Sequence, residues 1–143
     1  GAPNNGVQIG TSGIQDGAVT PEKLSNQIIV EATVQTTNAT PTQIAAIPVA
    51  ESSAVTITGR FICLRDTATE SAGGTFRGEF HRPTGGSVLL VGAIQVDMDD
   101  DSSGDPTINI VADTGNEAAS IQVTGEVGKT FNWKVAYNII SLP

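Results

Sequence analysis

Gln27-Ile28-Ile29-Val30-Glu31-Ala32-Thr33-Val34-Gln35 sets Ile28, Val30, Ala32 and Val34 against Ile29, Glu31, Thr33 and Gln35. A repeat of two is the signature of an extended strand, whose successive side chains point to opposite faces. The same alternation recurs near Gln43 to Val49, Val55 to Arg65, Thr75 to His81, Val88 to Val96, Thr107 to Ala112, Ser120 to Thr124 and Phe131 to Ser141, eight strands in all. Residues suited to turns separate them: Asn38-Ala39-Thr40-Pro41, Gly73-Gly74, Pro83-Thr84-Gly85-Gly86, Ser102 to Pro106, Thr114-Gly115-Asn116 and Gly125-Glu126-Val127-Gly128. Eight short strands with little helix predict an all-β chain, an antiparallel β-sandwich or jelly roll.

Upstream of the first strand the pattern changes. Residues 1 to about 17 are rich in Gly, Asn and Ser, with Val7, Ile9 and Ile14 too sparse to bury a face alone. Such a segment is a flexible linker in isolation, or a thin axial seam when wrapped with copies of itself. Thr20-Pro21-Glu22 then has the features of a helix start: a hydroxyl cap, a proline at the first position and an acid near the positive end of the dipole. One short helix, about Pro21 to Asn26, is predicted, with Leu24 turned inward under the strands. Residues 1–26 thus read as a connector and attachment segment, and residues 27–143 as a β-sandwich head domain.

The stretch Ile14-Gln15-Asp16-Gly17-Ala18-Val19-Thr20-Pro21-Glu22-Lys23-Leu24-Ser25 resembles the connectors of bacteriophage tail-fibre and other virion appendage proteins. In those, an I-x-D-G-x-(I/V)-T-x-x-K-L segment leads into a compact trimeric β-domain. The likeness extends loosely to the run of strands ending in the aromatic one at Phe131-Asn132-Trp133. It implies a homotrimeric, non-enzymatic component of a virion, whose partners are other virion proteins: capsid, tail or an upstream fibre shaft.

Length and charge bound the alternatives. A chain of 143 residues suits one domain with a short extension, large enough for a core without staples. Fifteen acidic against seven basic residues give a net charge of −8, which repels phosphate backbones and anionic head groups, so neither nucleic acid nor membrane is an expected partner. No apolar run approaches bilayer length, and the start Gly1 to Gly6 lacks the charged and apolar regions of a signal peptide. A first residue other than Met predicts a fragment or a processed product. The single cysteine, Cys63, lies among apolar residues and reads as a small buried hydrophobe.

Two predicted strands are apolar on both faces. Val88, Leu90, Gly92, Ile94 and Val96 alternate with Leu89, Val91, Ala93 and Gln95, while Ala136 and Ile140 lie opposite Phe131, Trp133, Val135, Tyr137 and Ile139. Either a loop covers the second face or another subunit does. Each aliphatic side chain left in water forgoes about 1.5–3 kcal/mol, a large share of a domain's net stability. Leu24, Leu89, Val91, Ala93, Ala136 and Ile140 are accordingly the candidate oligomer interface, and the resemblance selects threefold symmetry.

Signals for chemistry are weak. Gly125 to Thr130 imitates the end of a phosphate loop, but Val123 stands where the first glycine belongs and a strand follows, so a hairpin turn is predicted. The lone histidine, His81, shares a polar face with Thr75, Arg77 and Glu79, and no serine sits in a nucleophile elbow. Neither a catalytic residue nor an organic cofactor is expected. Asp97, Asp99, Asp101 and Asp105 form the one acidic constellation, read as a turn between strands. They are a candidate Ca²⁺ site or a solvated acidic loop that blunts a strand end. The helix-loop-helix calcium pattern fails at Ser102 and Ile108. Arg60, Arg65, Arg77 and Arg82 either pair with Glu51, Glu70 or Glu79 across an interface or make a small anion patch.

The sequence therefore predicts a non-enzymatic phage virion protein, a trimeric fibre or decoration protein located on the particle. It either attaches to a host cell-surface receptor through the turns Thr67 to Gly74, Pro83 to Gly86 and Asp97 to Asp105, or coats the capsid. A secreted trimeric ligand with a jelly-roll head and a tail-associated glycan hydrolase are the alternatives. Collagen-like triplets and a secretion signal, which the first would favour, are not seen.

Overall fold

The computed structural model describes residues 28–100 and 106–143. Within them lie eight strands: β1 (Val30–Thr36), β2 (Thr42–Pro48), β3 (Ser53–Arg65), β4 (Ser71–Arg82), β5 (Leu89–Asp100), β6 (Thr107–Asp113), β7 (Ala118–Thr124) and β8 (Phe131–Leu142). All pairings are antiparallel. The strands form a five-stranded sheet in the order β1-β8-β3-β4-β5 and a three-stranded sheet in the order β2-β7-β6. The predicted helix at Pro21 to Asn26, Leu24 and the connector lie outside the described residues.

The two sheets share one core. Val55, Ile57, Phe61 and Cys63 of β3, Ala72, Phe76 and Phe80 of β4, and Phe131, Trp133, Val135 and Tyr137 of β8 point inward at every second position. Ile44 and Ile47 of β2, Ile108 and Ile110 of β6, and Ala119, Ile121 and Val123 of β7 meet them from the other sheet. Phe61, Phe131 and Trp133 form an aromatic centre, with centroids 6.3 Å apart for Phe61 and Trp133 and 6.4 Å for Phe131 and Trp133. The indole Nε1 donates to Thr36 Oγ1 at 2.9 Å, so the one polar atom of the buried ring is satisfied.

The partition into sheets is uneven, with five strands on one side and three on the other. β3, β4 and β5 run as a meander and β8 returns to lie beside β3, the strand order of a Greek key. The antiparallel sandwich of the expectation fits this arrangement. Glu126 to Lys129 is a tight turn, with Lys129 N donating to Glu126 O at 3.2 Å, but it joins strands of different sheets and closes no hairpin.

Gly73-Gly74, expected to be a turn, lies inside β4. A Cβ on Gly74 would run into the carbonyl oxygen of Asp97, so its bare backbone lets β5 come close enough to pair. The turn is displaced to 66–70, where Arg65 N donates to Glu70 O at 2.9 Å. Farther along, the β4–β5 register shifts between Arg77 and Glu79, which face Gln95 and Val91. Gly92 takes a φ of 73° in this bulge, and Ile94 Cδ1 fills the space a side chain on Gly78 would need.

Polar clamps close both ends of the sandwich. At the end where the chain enters at Ile28 and where β8 finishes, Glu117 accepts from Val88 N through Oε1 at 2.8 Å and from Val49 N through its carbonyl at 3.0 Å. At the far end Arg65 meets Glu70 at 2.8 Å, and Lys129 meets Glu70 at 2.7 Å and Glu126 at 2.8 Å.

The hydrogen bond to Glu126, then that to Glu70, holds the Lys129 ammonium above its ordinary pKa of 10.5. A raised folded-state value gives stability that is fully present below the unfolded value and is lost as pH rises through the folded one. Lys129→Met should therefore melt below the wild type at pH 8, and the gap should close as pH climbs past 10.5. Thermal unfolding followed by circular dichroism across that range checks it. A gap independent of pH would mean the methylene stem, not the charge, does the stabilising.

Candidate functional site

The register of the five-stranded sheet places its outward side chains in rows. Glu31, Ala136, Arg60, Thr75 and Asp97 form one row across β1, β8, β3, β4 and β5. Thr33, Lys134, Ile62, Gly73 and Asp99 form the next row toward the far end. In the opposite direction lie the row of Asn138, Thr58, Arg77 and Gln95, then Ile140, Thr56, Glu79 and Val91, and finally Leu142, Ala54, His81 and Leu89. This outer face is the candidate site.

Its chemistry is mixed. Ile62, on the middle strand toward the far end, is 57 % exposed, and Leu64, Leu89, Val91, Ile140 and Leu142 are exposed as well. Three shallow depressions meet at Ile62. One of about 520 Å³ runs toward Thr33, Leu64 and Lys134. A second, about 420 Å³, is lined by Arg60, Gly73 and Ala136, and a third, about 470 Å³, by Ser71, Asp99 and Asp100. Gly73 projects no side chain, so the floor between Ile62 and Asp99 is open backbone.

Basic charge dominates the middle of the face and acid its β5 edge. Arg60, Arg77 and Lys134 occupy the three middle strands together with one acid, Glu79 of β4, while Asp97 and Asp99 line the β5 edge and Glu31 lies on β1. Lys134 meets Glu31 at 3.1 Å. Among the described residues, Arg60, Arg77, Asp97 and Asp99 enter no ion pair. The other two arginines are held within the chain: Arg65 by Glu70, and Arg82 by Gly86 O at 2.9 Å, with Glu117 at 4.0 Å.

The structure brings several of the sequence-selected residues together and leaves others apart. Leu89, Val91, Ala136 and Ile140 stand on the one outer face, and Ala93 is exposed on β5 within the bulge. Leu24, Asp101 and Asp105 lie outside the described residues. Asp97 and Asp99 belong to β5, not to a turn, because the strand runs on to Asp100. Among the described residues no group of three or more potential metal ligands comes together. Of the three turns considered for receptor contact, Pro83 to Gly86 is at the near end, beside Ser52, whereas 66–70 is at the far end.

Reasoning from the sequence missed Ile62, Leu64 and Gly73 as surface residues. The signal was present: Arg60, Ile62 and Leu64 share one parity on β3, opposite Phe61 and Cys63. Alternation alone does not say whether that face is covered.

The candidate site is thus the open, mixed-charge outer face of an antiparallel sandwich. No protein-family model matches the chain, and no curated protein matches it. Among solved structures, the crystal structure of the Acinetobacter baumannii phage AM24 tailspike protein is similar, with a TM-score of 0.50 at 12 % sequence identity. The match covers 98 % of this chain and 30 % of that chain, so the chain spans under a third of the tailspike's length. The likeness is one of fold.

Proposed function

We propose that the chain is a structural module of a bacteriophage particle, part of a fibre- or tailspike-like appendage, and that it acts by binding and not by chemistry. The observation that supports this most is the likeness of nearly the whole chain to a segment of a phage tailspike. The connector-like stretch Ile14 to Ser25 agrees with it. In this reading residues 1–26 join the head to an upstream shaft or another virion protein, and the head works as a homotrimer. The chain enters the head beside the Pro83–Gly86 end, so the opposite end, with the turns 37–41, 66–70 and 125–130, faces outward toward a host-surface receptor.

Binding without chemistry has a direct test. The purified chain, incubated with envelope polysaccharide of the host, should release no reducing saccharide and should slow adsorption of the phage to host cells. Saccharide release would overturn the non-enzymatic reading and make the module part of a hydrolase.

A further inference from the structure

β5 is an unusual edge. It ends the five-stranded sheet, so one side has no neighbouring strand among the described residues. Edge strands of lone domains are generally blunted by charge or proline. Leu89-Leu90-Val91-Gly92-Ala93-Ile94-Gln95-Val96 has neither, only the bulge at Gly92, and Leu89, Leu90, Val91 and Val96 are all exposed. Its only charges come at the far end, as Asp97, Asp99 and Asp100.

The complement of that edge lies on the same molecule. On the middle strands Arg60 and Lys134 flank the exposed Ile62, and Arg77 lies two rows away beside Thr58, with Glu79 as the one acid among them. Arg60 and Asp97 lie in one row with only Thr75 between them, on the order of 10 Å apart at the backbone for two strand spacings. Each is without an ion pair among the described residues. One face thus presents an acidic, aliphatic edge and a basic, aliphatic middle.

We propose that a second copy of this chain covers the outer face, head to tail. The β5 edge of one protomer, with Asp97, Asp99, Leu89 and Val91, seats on the Arg60, Arg77 and Ile62 field of the next. Charge complementarity selects this occupant, because each copy offers the edge that its neighbour's field lacks. The net charge of −8 would otherwise drive copies apart, so local pairing is what permits the approach. A contact between two different patches propagates, and it closes when the rotation between copies completes a ring. That the ring holds three copies rests on the virion reading above; the contact itself does not.

The test is the absolute mass of the full chain by light scattering, at low and high salt. The wild type should weigh about three times the 14.7 kDa chain. Asp97→Lys with Asp99→Lys should fall about threefold in mass, as should Arg60→Glu with Arg77→Glu, and both should keep the circular dichroism of the wild type because these side chains are exposed. All four reversals in one chain should restore the mass, which misfolding could not explain. A wild-type mass of 14.7 kDa overturns the contact. So does a multimer that both double reversals leave intact, though that result would leave the virion reading standing on its other grounds.

Discussion

Trp133→Ala should lower the unfolding free energy by about 3–5 kcal/mol, as large-to-small changes in a packed aromatic core do. The ring is 2 % exposed and sits between Phe61 and Phe131, on the strand that bridges β1 and β3. Truncation opens a cavity and also strips Thr36 Oγ1, itself in a residue only 2 % exposed, of its donor. Against a net stability on the order of 5–15 kcal/mol for a domain, such a loss leaves a marginal fold. Urea unfolding followed by circular dichroism measures it, since the variant removes the chain's single tryptophan. A change below about 1 kcal/mol would place the indole outside the structural core and contradict the packing described here.

Gly74→Ala should do damage of a different kind. The new methyl would meet the backbone of Asp97 and Met98, and backbone, unlike a rotatable side chain, can move only by carrying β5 away. Overpacking of this sort costs about 1–3 kcal/mol, and more where nothing yields. The loss should be local: amide exchange should quicken at Asp97 to Asp100 while β3 and β8 stay protected. Because the same strand carries Leu89, Val91, Asp97 and Asp99, the variant should also assemble less well than the wild type. Gly115→Ala is the control, as its methyl would find only Asp113 Oδ1 at 3.4 Å. Unchanged exchange in β5 would show that the edge is held by something other than its pairing with β4.

Most of the strands could be read from alternation alone, because a residue's inward or outward direction is a local property of extended backbone. Val55, Ile57, Phe61 and Cys63 announce β3, and Phe131, Trp133 and Val135 announce β8. The partition into sheets could not be read that way. Whether β4 pairs with β3 or with β7 depends on partners distant in sequence, and both placements suit the same pattern. Gly73-Gly74 misled for a related reason. A glycine pair permits a turn, yet here it permits two strands to approach, and only the position of Asp97 tells the two apart.

The candidate site was partly legible. Leu89, Val91, Ala136 and Ile140 were marked by being apolar on what should be the wet side of their strands, and they do share one face. Alternation puts Ile62 and Leu64 on one face with Arg60, but it does not say whether that face is covered. The arginines and the acidic run stood out separately, but their sharing of one face did not, since Arg60 and Asp97 are brought into one row only by the meander of β3, β4 and β5.

The most direct test of the account is where the chain resides. On the proposed virion role, antibodies raised against residues 28–143, applied with gold to intact phage particles whose genome encodes this sequence and viewed by electron microscopy, should label a fibre- or spike-like projection. Purified particles that carry no label, and whose proteins contain no peptide of this chain, would contradict the assignment to the virion.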